Sequence, residues 1–165
     1  MRSIALAIVP LILSSGASPA DDPPPPALKP ADKENKEKGV SLFDGKTLKG
    51  WKVTNCEAVV QDGAILLKAG NGLVRTERPY RDFVLELEWK ALKPDAWDSG
   101  IYFRCGEPPA GAAWPRNHQA NLKKGMEGNV DDLKGARSTG LVKPGEWNRF
   151  QLTVVGATAK LEING

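Results

Sequence analysis

The sequence predicts an all-β sandwich, and three observations carry that reading. Turn signals recur at intervals of about eight to twelve residues from Gly39 onward. The short runs between them alternate apolar and polar side chains, the period of a half-buried strand. No stretch shows an apolar stripe at helical spacing with capping residues at its ends.

The 165 residues are enough for one hydrophobic core, and 41% hydrophobic content suits a packed domain. The formal charge is +3, from 23 basic and 20 acidic residues, so neither nucleic acid nor an acidic membrane surface is expected as partner. One histidine, His118, and two cysteines, Cys56 and Cys105, are too few and too far apart for a zinc site.

Residues 1–20 read as a signal peptide. Arg2 supplies a positive start, Ile4 to Leu13 an apolar run, and Ser18-Pro19-Ala20 the small residues of a cleavage site. The run is about ten residues, half of the roughly twenty a spanning helix needs. The mature chain is therefore expected without an integral membrane segment, and exported to the periplasm, cell envelope or medium. No cysteine follows the run, which argues against a lipid anchor. Residues 21–38 hold four consecutive prolines and a charged stretch, a composition for an extended, solvated linker.

Residues 39–165 form the expected sandwich. Asp44-Gly45, Asp62-Gly63, Asn71-Gly72 and Pro144-Gly145 are its clearest turns, and Asp62-Gly63 joins Ala58-Val59-Val60 to Ile65-Leu66-Leu67 as a hairpin. The best strand places Phe83, Leu85, Leu87, Trp89 and Ala91 on one face and Val84, Glu86, Glu88 and Lys90 on the other. Ile101, Phe103 and Cys105 are expected to face inward on the next strand, opposite Tyr102 and Arg104. Phe150, Leu152 and Val154, then Leu161 and Ile163, repeat the pattern. Thr158 to Ile163 is followed by Asn164-Gly165, a hairpin turn without its second strand, so the domain is expected to be cut short at its C-terminus.

Several residues invite chemistry. Glu86, Glu88, Tyr102, Arg104, Gln119 and Asn121 are polar positions on strand-like segments. If those strands are neighbours they form one face suited to sugar hydroxyls, with Glu88 paired to Arg104; an ordinary solvated face is the alternative. Trp97 and Trp114 lie in Gly/Pro-rich loops, where a ring stacks on a sugar or caps a core. Trp51, Trp89 and Trp147 fall at strand positions and are expected in the core. His118 is the one side chain that titrates near neutrality. Cys56 and Cys105 either bridge or stay apart with Cys105 buried. Glu127, Asp131 and Asp132, in a charged glycine-rich loop, offer oxygens to a hard cation or to water alone, and no metal site is assigned.

The motifs GVSLFDGKTLKGW, YRDFVLELEWK, SGIYFR and PGEWNRFQLTVVGATAKLEING, in this order, resemble the 3-keto-disaccharide hydrolase domain family, from Gly39 to Gly165. The resemblance implies a concanavalin A-like jelly-roll sandwich, export, and further strands beyond the Asn-Gly turn. It implies cleavage of glycosides whose glucose ring is oxidised at C3, with a small carbohydrate as substrate and no cofactor. A 3-keto group acidifies the C2 hydrogen, so a base opens an elimination route, helped by an acid for the leaving oxygen and donors for the enolate. On matching positions, Arg104 and the NHQANL residues would line the concave sheet face. Family members often carry Glu-x-Gln on that strand. This chain has Gln119 and Asn121, and glutamine is no base. His118 or Glu127 would then replace it beside Arg104, with Glu88, Gln119, Asn121, Trp97 and Trp114 in substrate binding. A non-catalytic carbohydrate-binding module and a structural adhesion domain are the alternatives on the same fold.

Overall fold

A computed structural model describes residues 4–6, for their backbone path, and residues 39–93, 96–130, 132–133, 136–138 and 140–165. The expected cleavage site and proline linker lie outside the described residues. The strands are β1 (Ile4–Leu6), β2 (Trp51–Gln61), β3 (Ala64–Thr76), β4 (Phe83–Trp89), β5 (Gly100–Tyr102), β6 (Gln119–Asn121), β7 (Asn148–Val155) and β8 (Thr158–Ile163). No helix occurs among the described residues, so none is long and apolar enough to cross a membrane. The fold is the all-β jelly-roll type, with every strand pairing antiparallel: β1-β3-β2, β4-β7-β8 and β5-β6.

The β2–β3 hairpin turns on Asp62 (φ 52°) and Gly63 (φ 75°), between the pair Gln61 and Ala64. Positive φ at both central residues is the two-residue turn whose twist matches the flanking strands, and Asp-Gly is a preferred pair for it. The turn expected at Asn71-Gly72 is instead part of β3. Opposite it, β2 bulges at Asn55 (φ 56°), and the register shifts between Thr54 and Cys56. A Cβ on Gly72 would strike the Thr54 carbonyl, so the glycine serves close strand approach and not a reversal. The backbone of Ile4–Leu6, within the expected leader, runs beside Ile65 to Leu67 on the outer edge of β3.

The alternation of β4 is realised. Phe83, Leu87 and Trp89 are buried, Leu85 packs against both core clusters, and Glu86 and Glu88 lie on the other face. One cluster gathers Ile65, Leu87, Trp89, Leu122, Phe150 and Ile163, with Trp89 edge-on to Phe150 at 5.8 Å. The second gathers Phe83, Phe103, Ala120, Val130, Leu152 and Val154. At the chain's end, the buried Asn148 accepts from the Lys143 amide (2.7 Å) and donates to the Lys143 and Glu146 carbonyls, holding the Pro144-Gly145 turn. The tryptophans are sorted differently from expectation. Trp97 is buried in the first cluster, whereas Trp147 is 46% exposed just before β7.

Candidate functional site

A cleft of about 1180 Å³ opens between the β2–β3 hairpin and the sheets formed by β4 to β6. Its apolar side comes from Leu67, Val74, Leu85 and Leu87, and its polar side from β5 and β6.

The polar side follows from strand alternation carried past the strand ends. In β5–β6, Tyr102 stands opposite Gln119 and Gly100 opposite Asn121. The ladder continues outward: the Leu122 amide donates to the Ser99 carbonyl (2.8 Å) and the Lys124 amide to the Trp97 carbonyl (3.1 Å). The period of two then sets Asp98, Gly100 and Tyr102 beside Gln119, Asn121 and Lys123 on one face, and all six line the cleft. On the opposite face Trp97, Ala120 and Leu122 enter the core, and Ile101 and Phe103 border both the core and the cleft. Lys124 lies over the Trp97 ring at 5.5 Å.

Local geometry fixes several of these groups. The Gln119 side chain lies across Gly100, where a Cβ would collide with its amide nitrogen, so glycine makes room for it. Asn121 is buried, and its backbone bonds to Asn129 and Gly128 on the following loop. Lys123 Nζ stands 3.5 Å from Asp98 Oδ2. Burial pushes the Tyr102 phenol upward, and the nearby Cys105 and Asp98 groups add to the shift. Tyr102 therefore stays a neutral donor through the physiological range. Arg75 and Glu107 pair at 2.5 Å on the cleft wall, and Trp114, 45% exposed, joins the lining.

The structure separates the residues expected to act together. Arg104 lines the cleft, but its Nη2 donates to Asp82 Oδ1 and to the Gly156 carbonyl, each at 2.7 Å. The expected Glu88–Arg104 pair does not form: β4 neighbours β7, where Glu88 faces Arg149, and β5 neighbours β6. The strand expected to run through Cys105 ends at Tyr102, and Arg104 takes φ 52°, which breaks the alternation and leaves Cys105 exposed. Both cysteines are free thiols. His118 lies outside the cleft, with Nδ1 2.8 Å from Asp132 Oδ2 and its ring 5.3 Å from Phe103. Glu127 sits in a turn and is not part of the lining either. Gln119, Asn121 and Trp114 do come to the cleft, whereas Trp97 is core. Asp131 lies outside the described residues, and among those described no group of three or more His, Cys, Asp or Glu side chains is placed to hold a metal.

Sequence reasoning missed Asp98 and Lys123. Their signal was present: stepping back by twos from Tyr102 through Gly100 reaches Asp98, and forward from Gln119 through Asn121 reaches Lys123.

No curated protein matches the chain. The 3-keto-alpha-glucoside-1,2-lyase-like domain matches it over residues 38–165, the whole of the sandwich. With its strands, its cleft and that match in agreement, the chain belongs to the family of 3-keto-alpha-glucoside-1,2-lyase-like domains.

Proposed function

We propose that the chain is an exported lyase or hydrolase that cleaves α-glucosides, disaccharides among them, whose glucose ring carries a keto group at C3, and that it does so in the cleft beside β5 and β6. The observation carrying this reading is the single cleft face that holds a carboxylate, a neutral phenol, two amides and an ammonium group, in a chain of this family.

Each group has a part in an elimination. Asp98 takes the proton from C2, which the neighbouring ketone acidifies. The electron pair moves toward the C3 oxygen, where the Tyr102 hydroxyl donates to the developing enolate. Collapse of the enolate forms the C1–C2 double bond and breaks the bond from C1 to the leaving oxygen. Lys123 gives that oxygen a proton and regains one from Asp98. The net change moves one proton from C2 to the departing alcohol and leaves an unsaturated keto sugar. Addition of water to that sugar completes a hydrolysis. Gln119 and Asn121 orient the remaining hydroxyls through paired donors and acceptors. Asp98 takes the place as base that His118 and Glu127 were expected to fill, because it faces the cleft and they do not.

The test is release of nitrophenol from a nitrophenyl 3-keto-α-glucoside and from the same glucoside without the keto group. The keto compound alone is expected to react, and Asp98→Asn is expected to lose about a hundredfold or more of the rate. Binding of the keto compound with no release of nitrophenol would favour the binding-module reading, and full activity in Asp98→Asn would remove Asp98 from the chemistry.

A further inference from the structure

We infer that the outer face of the β4-β7-β8 sheet is a second carbohydrate-binding surface, which holds a neutral glucan chain while the cleft handles the oxidised ring. A concavity of about 430 Å³ lies on that face, lined by Glu88, Lys143, Trp147, Arg149, Gln151 and Glu162 and, at one end, by Asn164 and Gly165. Its volume falls in the range of roughly 300–1,000 Å³ that small-ligand sites occupy.

The face differs from an ordinary solvated sheet in which groups are left uncommitted. Glu88 stands opposite Arg149, yet the Arg149 guanidinium reaches diagonally to Glu86 Oε2 at 3.0 Å. Glu88 is half-buried and makes no side-chain hydrogen bond or ion pair with another described residue. The Gln151 amide, between Glu86 and Glu162 in the register, is also without a side-chain partner among the described residues. Glu162 is held by Lys160 at 3.0 Å. Trp147, an exposed residue, borders the same concavity.

A carboxylate and a primary amide with no side-chain partner among the described residues, and an exposed indole, around one shallow concavity match a pyranose ring. The apolar C–H face of the sugar covers the indole, and its equatorial hydroxyls meet planar acceptors and donors at the rim. The mixture of a carboxylate, an amide and a guanidinium favours a neutral polyhydroxylated ligand over a charged one. Choosing glucose as the sugar rests on the function proposed above; the surface itself does not.

The experiment is calorimetric titration of the chain with maltoheptaose and cellohexaose, neither carrying a keto group. Millimolar binding of at least one is expected. Trp147→Ala should weaken it by roughly fivefold to tenfold, the worth of one aromatic contact. Gln151→Ala should weaken it as well, while Asp98→Asn in the cleft should leave it unchanged. Trp147→Ala is expected to keep the wild-type melting curve and to retain turnover of a small nitrophenyl 3-keto-α-glucoside. Loss of turnover in Asp98→Asn with glucan binding intact would separate the two sites. Binding equal in wild type and Trp147→Ala would overturn the inference. So would absence of binding to both oligosaccharides up to their solubility limits, or binding lost only in Asp98→Asn.

Discussion

The Arg104 guanidinium joins three parts of the chain. Its Nη2 donates to Asp82 Oδ1, just before β4, and to the Gly156 carbonyl in the β7–β8 turn; Asp82 Oδ1 also accepts from the Gly156 amide at 3.0 Å. Both side chains of the pair are about one-quarter exposed, so the bonds are partly shielded from water. Alternation from Ile101 and Phe103 alone would turn Arg104 away from the core, toward a ligand. The positive φ at Arg104 changes that, because the side chain leaves the strand's pattern and turns to Asp82. Arg104→Ala is expected to lower stability in urea unfolding by about 1–3 kcal/mol, the range for hydrogen bonds that involve a charged group. An unchanged unfolding midpoint would contradict this role. Asp44 offers a second residue-scale test. Bonds from the Thr47 hydroxyl, the Thr47 amide and the Lys46 amide lower its carboxyl from 3.8 to about 2. A depressed folded-state value stabilises at pH above the ordinary value and is lost as pH falls through the folded one. Wild type should therefore lose stability between about pH 4 and pH 2 more steeply than Asp44→Asn, as followed by urea midpoints across that window. Parallel curves for the two proteins would remove Asp44 from the acid response.

At the scale of elements, legibility depended on length. β4 is seven residues with a clean period of two, and its buried and exposed faces were readable without any structure. Leu87→Ala is expected to cost about 2–5 kcal/mol by equilibrium unfolding, since the side chain is 5% exposed between Ile65, Trp89 and Phe150 in one cluster. A loss below about 1 kcal/mol would mean the surrounding core collapses to fill the space. β5 and β6 have three residues each, too few for periodicity alone to fix their ends. A strand drawn on through Cys105 was the natural reading, and only the backbone shows that it stops at Tyr102. Asn71-Gly72 has the composition of a turn, but here glycine answers the bulge across the ladder, a demand set by a partner strand that local sequence does not reveal. Trp97 and Trp147 exchanged places for a related reason. A loop residue is buried when its loop extends a ladder, and a residue at the mouth of a strand is exposed when no sheet covers it.

For the whole molecule, the all-β class and the family were legible because both rest on patterns distributed along the chain, and no single contact decides them. The candidate site was legible in part. Gln119, Asn121 and Trp114 reach the cleft as expected, but the neighbours assigned to them did not follow, because strand order decides which polar faces meet. The expected surface joined Glu88 to Arg104. The sheets divide it, giving a cleft face on β5–β6 and an outer face on β4-β7-β8. The central claim is that the cleft face removes the C2 proton of a 3-keto-α-glucoside. Its most direct test is a competition between that substrate with hydrogen and with deuterium at C2, following the isotope ratio of the unreacted sugar. The account predicts that the hydrogen form is consumed faster by wild type, with release of an unsaturated keto sugar, and that Asp98→Asn consumes both forms about a hundredfold or more slower. Equal consumption of both forms, together with cleavage of the glucoside lacking the keto group, would contradict it.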